Sequence, residues 1–400
     1  MIYSQAPHPP AILSIGTAVP PYRVEQAAVG QWMSEAFNND RAMTRWIRSL
    51  YKLSGVETRY TCLPDGLRPP EESRFAPGRD PHDTPSTAER MEVYKRESVQ
   101  VGKEAAYEAI TNYSEISGDN IATVTDSITH LLTVSCTGFF APGLDQMIAR
   151  QLNLQPSVER TIIGFMGCAA AFNALRLANQ IVQAQPSARV LIVCVELCTL
   201  HIQPSKKRAD LVSAAIFADG GGACLVGIPE AGQSDIFELG GFYTELTPET
   251  ESFMVWDIGN NGFTLHLASD IPGSLGQVAP RALQELFHND PPDLQFWAIH
   301  PGGRAIVDHL TDIFALAPDQ IAPSRTVLRD YGNVSSPTIL FVLQEYRKRL
   351  RQYPVGSRVD GVAMAFGPGL VTELAHLTYL VSDMQSDADD RKEAHVKSVS

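Results

Sequence analysis

Gly164-Phe165-Met166-Gly167-Cys168-Ala169-Ala170-Ala171 joins two kinds of segment. Before it, Thr161-Ile162-Ile163 reads as a short apolar strand. After it, Ala169–Ala184 places Phe172, Leu175, Leu177 and Ile181 at helical spacing among alanines, the best helix formers. The junction therefore predicts a strand, a tight turn and a helix, with a cysteine at the helix start. A thiol there meets unpaired backbone N–H groups and the positive end of the helix dipole. Both favour the thiolate, the nucleophilic form. Gly167 allows another part of the chain to come close to the backbone. Taken alone, Cys168 reads first as a buried structural cysteine, because free cysteines are among the most buried residues.

Two later segments have the same character. Phe296-Trp297-Ala298-Ile299-His300-Pro301-Gly302-Gly303 reads as a buried strand that delivers a histidine to a turn. Asp330-Tyr331-Gly332-Asn333-Val334-Ser335-Ser336-Pro337 reads as a turn that delivers an asparagine before an apolar helix containing Ile339, Leu340, Val342 and Leu343. Polar side chains at the ends of apolar elements suit a site held on a rigid scaffold. Each has an ordinary reading as well: His300 as a hydrogen-bonded core residue, Asn333 as a helix cap. Cys, His and Asn distant in sequence can still converge in the fold.

These three segments resemble the catalytic signatures of type III polyketide synthases, the chalcone synthase-like branch of the thiolase superfamily. The resemblance covers about residues 10–380. Ile128-Thr129-His130-Leu131 with Thr137-Gly138 and Pro142-Gly143 resembles the family's strand and substrate loop. Phe217-Ala218-Asp219-Gly220 resembles its FGDG segment, Gly262–Leu267 its GLTFHL, and Asp270-Ile271-Pro272-Gly273 its DVPG. Gly367-Pro368-Gly369 with Thr372 and Glu373 resembles its C-terminal GPGLTxE.

The resemblance implies an α/β thiolase fold of two similar halves stacked as a five-layer α-β-α-β-α sandwich. The division is placed at residue 235: 1–235 carry the cysteine, 236–381 the histidine and asparagine, and 382–400 form a charged, disordered tail. Composition agrees, since strand-like runs such as Ala11–Ile15, His130–Cys136, Val190–Val195, Gly222–Gly227, Leu294–Ile299 and Val362–Phe366 alternate with helical ones. Pro64–Pro85, rich in Pro, Asp, Arg and Gly, reads as a surface loop. A homodimer follows from the resemblance alone.

The implied reaction is iterative decarboxylative condensation of malonyl-CoA onto an acyl-CoA starter. Such chemistry needs a nucleophile to hold the acyl chain, donors to stabilise the enolate as carbon dioxide leaves, and close approach of the two fragments. Cys168 suits the first task. His300 pairs with the thiolate and holds it ionised, then donates to the enolate oxygen, and Asn333 supplies a neutral amide N–H to the same oxygen. CoA thioesters enter as substrates, and no cofactor or metal is implied.

The resemblance makes Phe217 a gatekeeper, which would otherwise read as core. It places the family's cavity threonines on Cys136 or Thr137, on Cys198 and on His201, and counts Ser335 with the same cavity. A cavity glycine falls on Trp256, a second gatekeeper phenylalanine on Leu265, and a loop methionine that crosses the dimer interface on Ala141. Leu265 and Ala141 open space while Trp256 fills it. The reshaped lining argues against a p-coumaroyl starter and for an aliphatic one, with an alkylresorcinol or alkylpyrone product of the bacterial type. Tetrahydroxynaphthalene, phloroglucinol or chalcone-like products, or a single condensation of the ketoacyl synthase III kind, are the alternatives.

Charge supplies a substrate handle. Arg41, Arg45, Arg48 and Lys52 fall at spacings of four, three and four, which is one helix face, in a chain of net charge −13. The family's CoA-binding cations lie in this helix, so Arg45, Arg48 and Lys52 are the CoA candidates; a solvated helix face is the other reading. Lys206-Lys207-Arg208 reads as an exposed loop, and Arg304 either lines the tunnel mouth or is exposed. The acidic balance argues against nucleic acid. In 400 residues with 44% hydrophobic content, no run reaches membrane-spanning length. Met1–Pro10 lacks the regions of a signal peptide. Six cysteines without a paired ligand pattern argue against zinc and for a reduced, cytoplasmic setting.

Overall fold

A computed structural model describes residues 8–37, 40–64, 68–76, 80–203, 205–268 and 271–382. The expected tail beyond residue 382, Asp270 of the DIPG segment and parts of the Pro64–Pro85 loop lie outside the described residues. The strands are β1 (Ala11–Ala18), β2 (Tyr22–Glu25), β3 (Thr58–Thr61), β4 (His130–Ser135), β5 (Glu159–Gly164), β6 (Val190–Leu197), β7 (Asp219–Gly227), β8 (Ile236–Glu245), β9 (Met254–Gly259), β10 (Gly262–Leu267), β11 (Phe296–Ile299), β12 (Arg358–Gly367) and β13 (Val371–Leu380). The helices are α1 (Gln26–Glu35), α2 (Arg41–Leu53), α3 (Thr87–Ser117), α4 (Ile121–Ser127), α5 (Leu144–Gln151), α6 (Ala170–Ala184), α7 (Arg208–Ile216), α8 (Ile271–Leu286), α9 (Arg304–Ile313), α10 (Pro318–Tyr331) and α11 (Thr338–Leu350).

The chain builds the same strand arrangement twice. In the first half β4 runs parallel to β6, and β6, β7 and β1 follow as antiparallel neighbours. In the second half β11 runs parallel to β12, and β12, β13 and β8 follow as antiparallel neighbours. The two arrays meet where Ala11 and Ile12 of β1 pair with Glu238 and Phe237 of β8, giving one nine-stranded run ending at β5.

Period-two alternation assigns the layers. Ile192 and Cys194 of β6 point into the same core as Ala363 and Ala365 of β12, and that core is filled by α6 and α11. Leu191, Val193 and Val195 point the other way, onto α3 and α5. Val362 and Met364 likewise face α8 and α9. Helices α6 and α11 are therefore the middle layer of an α-β-α-β-α stack. Strand β6 is buried along its whole length, covered on both faces, and is apolar except for Glu196. Helix α3 starts with a capping box between Ser86 and Glu89 and stops at Gly118, whose φ of 78° is left-handed. Among the described residues, no helix is long and apolar enough to cross a membrane.

Candidate active site

Strand β5 ends at Gly164, and the chain reverses through Phe165 and Gly167, both with positive φ (57° and 65°), into a single turn over Gly167–Ala169 that feeds α6. A side chain at Gly167 would place its Cβ 2.2 Å from Pro368 Cδ. Glycine here thus lets the Gly367-Pro368-Gly369 turn pack against the turn that carries Cys168. Cys168 is buried, with Sγ 3.6 Å from Ser335 Oγ. Burial pushes its thiol up to about 11, against the pull of hydrogen bonds from Ser335 and Asn333. The expected thiolate is therefore not the resting form, because loss of water outweighs the helix end.

His300 follows β11, fixed by its N–H donating to Met364 O at 2.8 Å. Neither ring nitrogen has a hydrogen-bond partner among the described residues, so the expected pairing with the Cys168 sulfur is not made at rest; the sulfur turns to Ser335 instead, and burial holds the imidazole down at about 3, so it rests neutral. Asn333 is clamped as an isolated bridge beside Phe217: Ala218 N–H donates to Asn333 O (2.9 Å), and Asn333 N–H donates to Ile216 O (3.0 Å). Its side-chain Oδ1 accepts from Ser335 N–H at 2.8 Å, which turns Nδ2 toward Gly302 O at 3.2 Å. The amide's second N–H goes to the Cys168 sulfur, and it is the one available to a ligand oxygen that displaces it. Ser335 carries a φ of 56°, and such left-handed backbone is a strain found at functional sites.

Cys168, His300 and Asn333 line one cavity of about 710 Å³. Thr137, Cys198, His201, Phe217, Trp256, Leu265, Ser335 and Arg304 line it too, as does Cys136. Ala141 does not; it is exposed on a loop. Trp256 is pinned by its indole N–H donating to Cys136 O at 2.7 Å. His201 stacks on Phe263 at 4.2 Å, donates from Nε2 to Thr137 O and accepts at Nδ1 from Phe263 N–H. It is a neutral wall residue, its pKa lowered to about 3 by burial.

Helix α2 meets the cavity with Trp46, Ser49, Leu50 and Leu53. Its cationic stripe turns elsewhere: Arg48 and Lys52 line a separate cleft with residues of α1, and exposed Arg45 lines neither. The stripe is one helix face, as its spacing requires, but not the face that meets the tunnel.

Sequence reasoning passed over two supporting groups. Buried Arg59 donates from Nη1 to Ala214 O (2.6 Å) and Phe217 O (2.7 Å), holding the backbone at Phe217. Glu196, near the end of β6, accepts from Cys136 N–H (2.9 Å), Thr137 Oγ1 (2.8 Å) and Ser336 Oγ (2.6 Å). One acid in the apolar run Leu191–Leu197 was the available signal. Burial raises its pKa from 4.5 to about 7. A carboxyl raised in the folded state contributes stability that is complete below its unfolded value and is lost as pH rises through the folded value. Across this window the loss is about 3 kcal/mol. Glu196→Gln is expected to flatten that part of the pH–stability curve in denaturant titrations, and parallel curves for variant and parent would refute it.

The comparisons with known proteins agree with this geometry. Residues 3–229 match the family described as chalcone and stilbene synthases, N-terminal domain, and residues 239–380 match its C-terminal domain. PKS-I from the brown alga Ectocarpus siliculosus is similar at 30% identity over 93% of this chain and 98% of that one, with a TM-score of 0.82. The C-terminal type III polyketide synthase domain of Steely1, a type I/III hybrid from Dictyostelium, is similar at 25% identity over 94% and 100%, also with a TM-score of 0.82. This chain therefore belongs to the chalcone and stilbene synthase family of type III polyketide synthases and is an acyl-transferring enzyme.

Proposed function

We propose that the protein extends an aliphatic acyl-CoA starter with malonyl-CoA units and cyclises the chain to an alkylresorcinol or alkylpyrone. The observation that carries this reading is a single cavity in which the sulfur, the imidazole and the carboxamide share a wall with Met254, Trp256, Leu265, Leu267, Ile271 and Phe366. Those apolar walls suit an alkyl chain better than a phenolic ring, which wants polar partners for its hydroxyl.

In the proposed cycle Cys168 Sγ attacks the starter carbonyl as His300 takes the thiol proton; the C–S bond to CoA breaks, and the leaving thiolate takes that proton back. Malonyl-CoA then loses carbon dioxide, and the electron pair of the broken C–C bond becomes an enolate held by the Asn333 N–H and by His300. Its carbon attacks the Cys168 thioester, a C–C bond forms, and the sulfur leaves. Incubation with malonyl-CoA and a panel of starter CoAs tests this, with long aliphatic starters expected to be preferred and their resorcinols or pyrones found by mass. Preference for p-coumaroyl-CoA, or consumption of malonyl-CoA alone to a naphthalene or phloroglucinol, would overturn it.

The partner in this reading is a second copy. β5 ends the sheet with an unpaired edge, and Phe139, Ile162, Phe165 and Met166 stand exposed around the turn before Cys168. Exposed apolar clusters of this kind mark interfaces. Sedimentation at micromolar concentration is expected to give twice the chain mass, and a monomer would remove the claim. The reading places the enzyme in the cytoplasm with its CoA substrates.

A further inference from the structure

The cavity needs a handle for the charged end of a CoA thioester, and α2 does not offer one on the face that meets it. Trp46, Ser49, Leu50 and Leu53 stand there, and Leu53 is exposed. Cations instead gather beside it, at the starts of the neighbouring helices α7 and α9. Lys206, Lys207 and Arg208 are consecutive and exposed, and they lead directly into α7, whose Ala209, Asp210, Val212 and Ser213 line the cavity. The Arg208 guanidinium lies 5.1 Å from the ring centre of Trp46, a residue of the cavity wall. Arg304, the first residue of α9, lines the same cavity and is 3.3 Å from Asp308 one turn on. No ion pair engages Lys206, Lys207 or Arg208 among the described residues, and Asp210, two positions after Arg208, lines the cavity. Helices α7 and α9 both start without a side-chain cap, which leaves first-turn N–H groups on this rim.

We propose that the phosphate end of the CoA substrates docks on Lys206, Lys207, Arg208 and Arg304, and that the α2 stripe takes no part. The inference rests on the reading of the enzyme as a user of CoA thioesters. The diphosphate and 3′-phosphate are strong acceptors for charge-assisted hydrogen bonds, and an ammonium–guanidinium cluster is the complement they need. In a chain of net charge −13, such a cluster also counters long-range repulsion of a polyanionic substrate.

The test compares malonyl-CoA with malonyl-N-acetylcysteamine, which has the same reacting group and no phosphates. In the Lys206→Gln/Lys207→Gln/Arg208→Gln variant, KM for malonyl-CoA is expected to rise about tenfold or more, while KM for the short thioester stays put. Arg304→Gln raises it further. The Arg45→Gln/Arg48→Gln/Lys52→Gln variant is expected to match the parent with both thioesters. A KM increase confined to the α2 variant, an equal change for both thioesters in the rim variant, or turnover from a carrier-protein thioester but not from CoA would overturn the inference. Calorimetric titration with free CoA separates the two levels: no turnover with any malonyl thioester defeats the functional reading, whereas CoA affinity indifferent to the rim substitutions defeats this one.

Discussion

Cys168→Ala is expected to abolish polyketide formation while leaving malonyl-CoA decarboxylation in place. The two half-reactions use different atoms. Condensation needs an acyl group parked on sulfur within reach of the enolate, and in the proposed cycle that sulfur is the buried Cys168 thiol, on the cavity wall that His300 and Asn333 share. Without it each extension becomes an encounter of two free thioesters, and turnover should fall by at least about 10³-fold. Decarboxylation needs donors for the enolate oxygen, and both remain in the variant. Asn333→Ala reverses the pattern. It removes the one amide N–H left over after the bond to Gly302 O, and an oxyanion donor of this kind is worth about 2.7–4 kcal/mol. Carbon dioxide release should then slow by about 10²–10³-fold, with thermal unfolding reporting any loosening from the lost Ser335 N–H bond. Labelled carbon dioxide and product mass, measured on both variants, check the division. Full condensation by Cys168→Ala would end the assignment.

How much of this was legible in the chain depends on how local the deciding contact is. Cys168, His300 and Asn333 were readable because each ends an apolar element, and such junctions are visible in the order of residues. The central strands were readable because β6 and β7, buried throughout, carry apolar residues or glycine everywhere but Glu196 and Asp219. The role of α2 was not. Four cations at helical spacing establish a face, but which face turns to the tunnel is set by Met33, Ile47, Tyr51 and Leu211, residues of three helices that share one core. The GPG signature was recognisable but unexplained until Pro368 was seen seated on Gly167, across 200 residues of chain. The thiol's state was misread because an end-of-helix argument is local, whereas desolvation is a sum over everything packed around the sulfur.

That last point yields the sharpest expected result. With the thiol pushed up to about 11 and the imidazole down to about 3, neither charge forms alone at neutral pH. The proton can leave sulfur only if the ring receives it as the new bond forms, so that the two charges compensate each other. His300 is equipped for this, since its ring nitrogens have no competing partner. The imidazole is neutral, hence able to accept, at every pH well above 3. Alkylation of Cys168 by iodoacetamide in the native enzyme should accordingly be nearly flat between pH 6 and 9, about the range in which an unassisted thiol would climb. In His300→Gln the base is gone. The rate at pH 7 should drop by about 10²–10⁴-fold, the worth of a positioned base, and should then rise about tenfold per pH unit as hydroxide makes the thiolate. No levelling is expected until pH approaches 11, the direction burial dictates for an acid whose charged form is penalised. Peptide mapping assigns the label to Cys168 rather than to Cys136 or Cys198, which share the cavity. Superimposable profiles for parent and variant would show that the histidine does not serve the sulfur, and the proposed cycle would lose its first step.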